Sequence, residues 1–124
     1  VSTSIIFAGL GITTANSTIA TDVVSQPILG DGSLHRASGQ HTLYAKATNL
    51  TANITIEGTI GIDTTGPWLI VPLTNTLTGN VTTELNYSNI SGTECYSITG
   101  QFTFLRARVQ DYSTGILDNL SIMI

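Results

Sequence analysis

The segment LGDGSLHRASG, residues 29–39, gathers Asp31, Ser33, His35, Arg36 and Ser38. Asp, His and Ser are the residue types of acyl transfer. A nucleophilic serine needs a base within hydrogen-bond reach and donors aimed at the developing oxyanion. No spacing here implies either, whereas Asp, Ser and Gly are expected in a turn-rich loop. Gly-x-Ser-x-Gly, the phosphate loop and His-Glu-x-x-His are all missing from the chain. His35 and His41, with Asp31 upstream, match no tight metal-ligand spacing. Asp31 and Asp63 are isolated acids that could hold calcium only with backbone carbonyls. The eight acids are spread evenly and suggest no carboxylate pair for glycoside hydrolysis. The single cysteine, Cys95 in TECYSITG, reads as a small core residue of a strand. We therefore expect no catalytic residue, no metal and no cofactor: the chain reads as a non-enzyme.

Binding chemistry is better represented. Tyr44, Tyr87, Tyr96, Tyr112 and Trp68 could stack on sugar faces if exposed. Tyr44, Trp68 and Tyr112 are the candidate platforms of a carbohydrate-binding module, although Trp68 begins the apolar run WLIVPL and reads first as core. Net charge is −4 with only four Lys and Arg, which argues against a nucleic-acid partner, since phosphate binding needs clustered cations. Half of those cations, Arg106 and Arg108, lie in FTFLRARVQ, residues 102–110. On a strand, Leu105, Ala107 and Val109 point one way and the arginines the other. The arginines then pair with Glu57, Glu94 or Asp111, or meet a neighbouring subunit, where Arg is enriched. Seven Asn-x-Ser/Thr triplets begin at Asn16, Asn49, Asn53, Asn80, Asn86, Asn89 and Asn119. Asn and Thr two apart share one strand face, so a polar uncharged outer face produces them without any glycan.

These residues must be positioned by strands. Charged residues are only 10% of the chain, against about a quarter in ordinary soluble domains. Thr, Ser, Asn and Gly take their place, a bias toward strands and turns. HTLYAKAT places Leu43 and Ala45 opposite Tyr44 and Lys46. TANITIEGTI places Ala52, Ile54 and Ile56 opposite Thr51, Asn53, Thr55 and Glu57. Such alternation marks a sheet with one face in the core. TSIIFAG, STIATDVV, WLIVPL, NVTTELNY, ECYSITG, FTFLRARVQ and GILDNLSIMI complete the strand candidates, while residues 26–40 read as a loop. The expectation is an all-β antiparallel sandwich of jelly-roll type, with about eight or nine strands. Its 124 residues form one domain, with residues 1–39 as a possible arm or edge element. No run approaches the apolar length that spans a bilayer, and VSTSIIFAGLGI has no basic residue ahead of its apolar patch, so it reads as structure rather than a secretory signal.

ITIEGTIGIDTTGPW, residues 54–68, and YSITGQFTFLRARVQDYSTG, residues 96–115, form a recognisable pairing. An apolar strand ends in Glu-Gly, a Gly/Asp turn leads to a Trp, and an Arg-Ala-Arg-Val strand precedes a Tyr-x-x-Gly turn. This resembles structural proteins of tailed-bacteriophage virions. Residues 41–124 are also similar to galactose-binding-like, discoidin-type jelly rolls, with GTIGIDTTGPW longer than the corresponding turn. The phage resemblance implies a non-enzymatic capsid decoration, neck, tail or fibre component, located in the virion and oligomeric. Its partners would be copies of itself, other virion proteins and, on the carbohydrate alternative, host-surface glycans, with no nucleic acid and no membrane. The contact residues expected on that reading are Arg106, Arg108, Phe7 and Ile124.

Overall fold

The computed structural model describes residues 3–11, 22–25, 27–30 and 40–123, and the side chains of Val24 and Ser25, of 27–30 and of 40–123. Of the expected loop at 26–40, residues 26 and 31–39 lie outside the described residues, as does Ile124, while Ile28–Leu29 form a short strand and Gln40 begins another, both by pairing with neighbouring strands. The described residues hold nine strands and no helix: β1 (Thr3–Gly11), β2 (Asp22–Val24), β3 (Ile28–Leu29), β4 (Gln40–Thr59), β5 (Leu69–Ile70), β6 (Leu73–Asn75), β7 (Val81–Thr82), β8 (Leu85–Thr99) and β9 (Phe104–Met123). All pairings are antiparallel. The order is β1-β9-β4-β8-β6-β7, with β2 and β3 also on β9 and β5 on β4. The all-β antiparallel fold is thus as the composition and alternation predict.

The segmentation differs from the sequence reading. HTLYAKAT and TANITIEGTI are halves of one 20-residue strand, β4. FLRARVQ and GILDNLSIM both belong to β9. LNY and ECYSIT both belong to β8. The Asn, Asp and Gly residues between the halves do not end the strands; they bend them. Asn49, Asn89 and Asp111 have positive φ of 48°, 54° and 53°, a region that Asn and Asp tolerate. The bends fall together, because Asn49 lies between the pairs Thr48↔Ile116 and Thr51↔Thr114 on one side and Ala47↔Gly92 and Leu50↔Ile90 on the other.

Each bend also shifts the phase of alternation. In β4 the buried positions are His41, Leu43, Ala45 and Ala47 before the bend, then Leu50, Ala52, Ile54 and Ile56 after it. An extra residue in a bulge reverses which parity faces inward, so the apolar set stays on one side through the bend. In β8 Leu85 and Tyr87 give way to Tyr96 and Ile98; in β9 Leu105, Ala107 and Val109 give way to Tyr112. The sheet curls at this line and both halves contribute to one core, with Leu43, Leu50, Ile54, Ile56, Leu105, Leu120 and Ile122 among its fully buried members. Two layers therefore arise from one sheet that bends back on itself.

Candidate functional site

Glu57 on β4 faces Arg106 on β9 in register, and Arg108 faces Thr55 one step along the same outer face. Arg106 Nε donates to Glu57 Oε1 at 2.7 Å, and Arg108 Nε lies 3.5 Å from Glu57 Oε2. The arginine side chains are only 20% and 25% exposed, and Glu57 only 12%, so these contacts are drier than an ordinary surface pair. The open choice between acids of the same sheet and acids of another subunit is answered for Glu57: one carboxylate serves both arginines from the neighbouring strand.

The cover comes from the connection after β4. Its turn is set by Asp63, whose carboxylate accepts from Thr65 N at 3.0 Å and from Thr65 Oγ1 at 2.6 Å. These two bonds hold the Asp63 carboxyl below its ordinary range. Thr103 ties the base of the turn, its hydroxyl donating to the carbonyls of Thr59 at 2.9 Å and Gly61 at 2.6 Å. Trp68 Nε1 donates to the Thr64 carbonyl at 3.1 Å, and the Arg106 guanidinium carbon stands 4.2 Å from the indole centroid. The expectation of Trp68 as core is thus corrected. It is half-buried on the outer face, and an arginine occupies one side of its ring. WLIVPL is not a buried strand either: β5 is two residues long, Leu69 and Ile70 are exposed, and only Val71 and the following Leu73 are in the core. The hairpin pairing of Glu57 with Ile70 turns the first residues outward.

A second cluster lies at the bend of β8. A cleft of about 510 Å³ opens there, lined by residues 82–96 on both sides of the bend, including Glu84, Asn86, Tyr87, Ile90 and Glu94. Tyr87 and Tyr96 are 8% and 5% exposed. Both line the cleft together with Glu94. Burial, with Glu94 alongside, raises both phenols: Tyr96 to about 12, and Tyr87 further.

The remaining sequence candidates are dispersed. Tyr44 is exposed on the outer face of β4. Tyr112 is buried, and its hydroxyl donates to the Gly115 carbonyl, so its ring is closed to a ligand. Cys95 is half-buried on β8 rather than in the core, because its parity is opposite to that of Tyr96. Phe7 pairs with Leu120 through the β1 backbone, next to a register shift; its side chain, like Ile124, lies outside the described residues. Asp31, Ser33, His35, Arg36, Ser38 and Asn16 also lie outside them. His41 is buried on β4. Among the described residues, no group of three or more His, Cys, Asp or Glu is placed to hold a metal ion.

Sequence inspection missed two features. One is the pair of exposed apolar turns, Ile62 at 98% and Leu77 at 95% exposure, whose only signal is an Ile or Leu inside a turn-forming segment. The other is the grouping of Glu94 with Tyr87 and Tyr96 at one cleft. Its tyrosines were candidates as sugar platforms, but Glu94 was considered only as a partner for arginine.

No protein-family model matches the chain. No curated protein matches it either. Among solved structures, the chain is similar to the SPBc2 prophage-derived protein YomS, with a TM-score of 0.64 over 98% of this chain and 88% of that one. Identity is 10%, so what the two share is the fold.

Proposed function

We propose that the chain is a non-enzymatic structural protein of a tailed-phage virion, a component of a capsid decoration, neck, tail or fibre that works through subunit contacts. The observation that carries this reading is a fold shared along nearly the whole chain with a protein of prophage origin. The exposed apolar turns support it. Ile60, Ile62, Leu69 and Ile70 cluster around the β4–β5 connection, and Leu77 and Val81 around the β6–β7 connection. Apolar groups in contiguous exposed patches favour burial against another protein surface. Arg106 and Arg108 pair with Glu57 inside the sheet, so on this reading the turns, more than the arginines, make the contacts.

The partners are then other copies of the chain and other virion proteins, and the reading assigns no role to nucleic acid or membrane. Light scattering of the purified protein at micromolar concentration, together with mass spectrometry of purified particles, tests it. The expected result is a defined oligomer and a stoichiometric copy number in the particle. A stable monomer with no copy in the particle would overturn it.

A further inference from the structure

The cleft at the bend of β8 is built from the two halves of one strand. Leu85, Asn86 and Tyr87 come from before the Asn89 bend, and Ser91, Thr93 and Glu94 from after it. Its volume of about 510 Å³ is within the usual ligand-pocket range of roughly 300–1,000 Å³. No Lys or Arg lines it, while Glu84 and Glu94 do. An anionic ligand is therefore disfavoured on charge alone. The lining is mixed: the hydroxyls of Thr82, Ser91 and Thr93 and the Asn86 amide donate and accept beside the apolar walls of Leu85 and Ile90.

We propose that this cleft binds a neutral saccharide, with Glu94 as its principal acceptor. A sugar ring is amphipathic in the same sense as the lining. Its hydroxyls donate to carboxylates and accept from hydroxyls and amides, while its C–H face packs on apolar walls. An ionised carboxylate offers about four acceptor positions. Tyr87 and Tyr96, which line the cleft beside it, have one hydroxyl proton each, which leaves acceptor positions for a pair of neighbouring sugar hydroxyls. A site held by buried tyrosines is ordered before the ligand arrives, which lowers the entropic cost of binding. The cleft is distinct from the Trp68–Arg106 cluster and from Tyr44 and Tyr112, the positions first considered for sugar stacking. The inference also stands independently of the virion reading, since a monomer could bind sugar and an oligomer could fail to.

The test is a glycan array of neutral oligosaccharides, followed by calorimetric titration with the methyl glycosides of the sugars that score, on the full chain. Saturable binding is expected, weakened at least about tenfold by Glu94→Gln and measurably by Asn86→Ala, and unchanged by Thr64→Ala at an exposed position of the β4–β5 connection. Circular dichroism melts establish that each variant is folded; if Glu94→Gln is not, Asn86→Ala at its exposed position decides. No binding to any neutral sugar overturns the proposal. So does binding that survives both cleft substitutions in folded protein, or a cleft that takes only spermidine or calcium.

Discussion

Arg106 stands between Trp68 and Glu57, its guanidinium carbon 4.2 Å from the indole centroid and its Nε 2.7 Å from the carboxylate. The relationship joins the β4–β5 connection to β9, elements separated by the whole of β6 to β8 in sequence. Glu57 is the shared partner, because Arg108 approaches its other oxygen. Replacing Glu57 by Gln removes the carboxylate charge that both partly covered guanidinium groups approach. Hydrogen bonds to charged groups contribute about 1.5–3 kcal/mol where they are shielded from water. With side chains still 12–25% exposed, the lower half of that range applies, and we expect a loss of about 1.5–2 kcal/mol. Urea unfolding of Glu57→Gln measures it; an unchanged midpoint would show the cluster to be energetically idle.

The bend line gives a sharper contrast between two glycines. Gly115 has φ of +92°, and a Cβ there would land on the Asn49 carbonyl and the Leu50 backbone. Those atoms belong to β4, so relief requires separating the two longest strands at their bend. Gly79 also has positive φ, +76°, but its Cβ would meet nothing within 4 Å. Gly79→Ala should cost about 1–2 kcal/mol from backbone conformation alone. Gly115→Ala should cost more than about 3 kcal/mol or abolish folding. Equal melting temperatures for the two variants would contradict this account of the bend.

The bends show what the sequence made legible and what it did not. Alternation identified core residues in both halves of β4 and in the first half of β9, including Leu43, Ile54, Leu105 and Val109, because burial on one face is a local pattern. Asn49 and Leu50 fall between the strand candidates HTLYAKAT and TANITIEGTI, because Asn usually marks a turn. Whether such residues end a strand or bend it depends on the neighbouring strands, and here Asn49 N donates to Ser91 Oγ at 2.8 Å while Asn89 N donates to Thr51 Oγ1 at 2.9 Å. Asn49 and Asn89, noticed as possible glycan acceptors, serve the bend. Trp68 was misplaced for a related reason: apolar runs suggest burial, but Val71 and Leu73 took the core positions and left Leu69 and Ile70 outside. Glu57 was one of three acids proposed for the arginines, and only cross-strand register could select it.

The buried phenols of Tyr87 and Tyr96 predict an alkaline limit to stability. Burial and the nearby carboxylate keep Tyr96 protonated up to about 12, and Tyr87 is raised further. In the unfolded chain tyrosine ionises near about 10. The folded state holds these protons more tightly, so the contribution is fully present below about pH 10 and is lost as pH rises through about 12. Urea midpoints should fall across that window, and Tyr96→Phe should flatten the fall, since it removes one of the two raised groups. Phenolate absorbance followed in the same samples separates ionisation from unfolding. A fall of the same steepness in Tyr96→Phe would assign the pH dependence elsewhere.

Assembly through the apolar turns makes the last prediction. Ile62 and Leu77 are 98% and 95% exposed, so neither supports the core of a single chain. A charge at either position meets water in the monomer and should change its stability by no more than about 0.5 kcal/mol. In an interface the same charge would be desolvated opposite apolar groups, where an unpaired charge costs several kcal/mol. Ile62→Asp and Leu77→Asp should therefore leave the circular dichroism spectrum and the concentration-extrapolated monomer stability intact, and shift the light-scattering mass toward the monomer. The two substitutions also discriminate between the turns: whichever leaves the mass unchanged lies outside the interface. If both leave an established oligomer intact, the contacts are made by another surface, and the exposed turns lose their role in the proposed function.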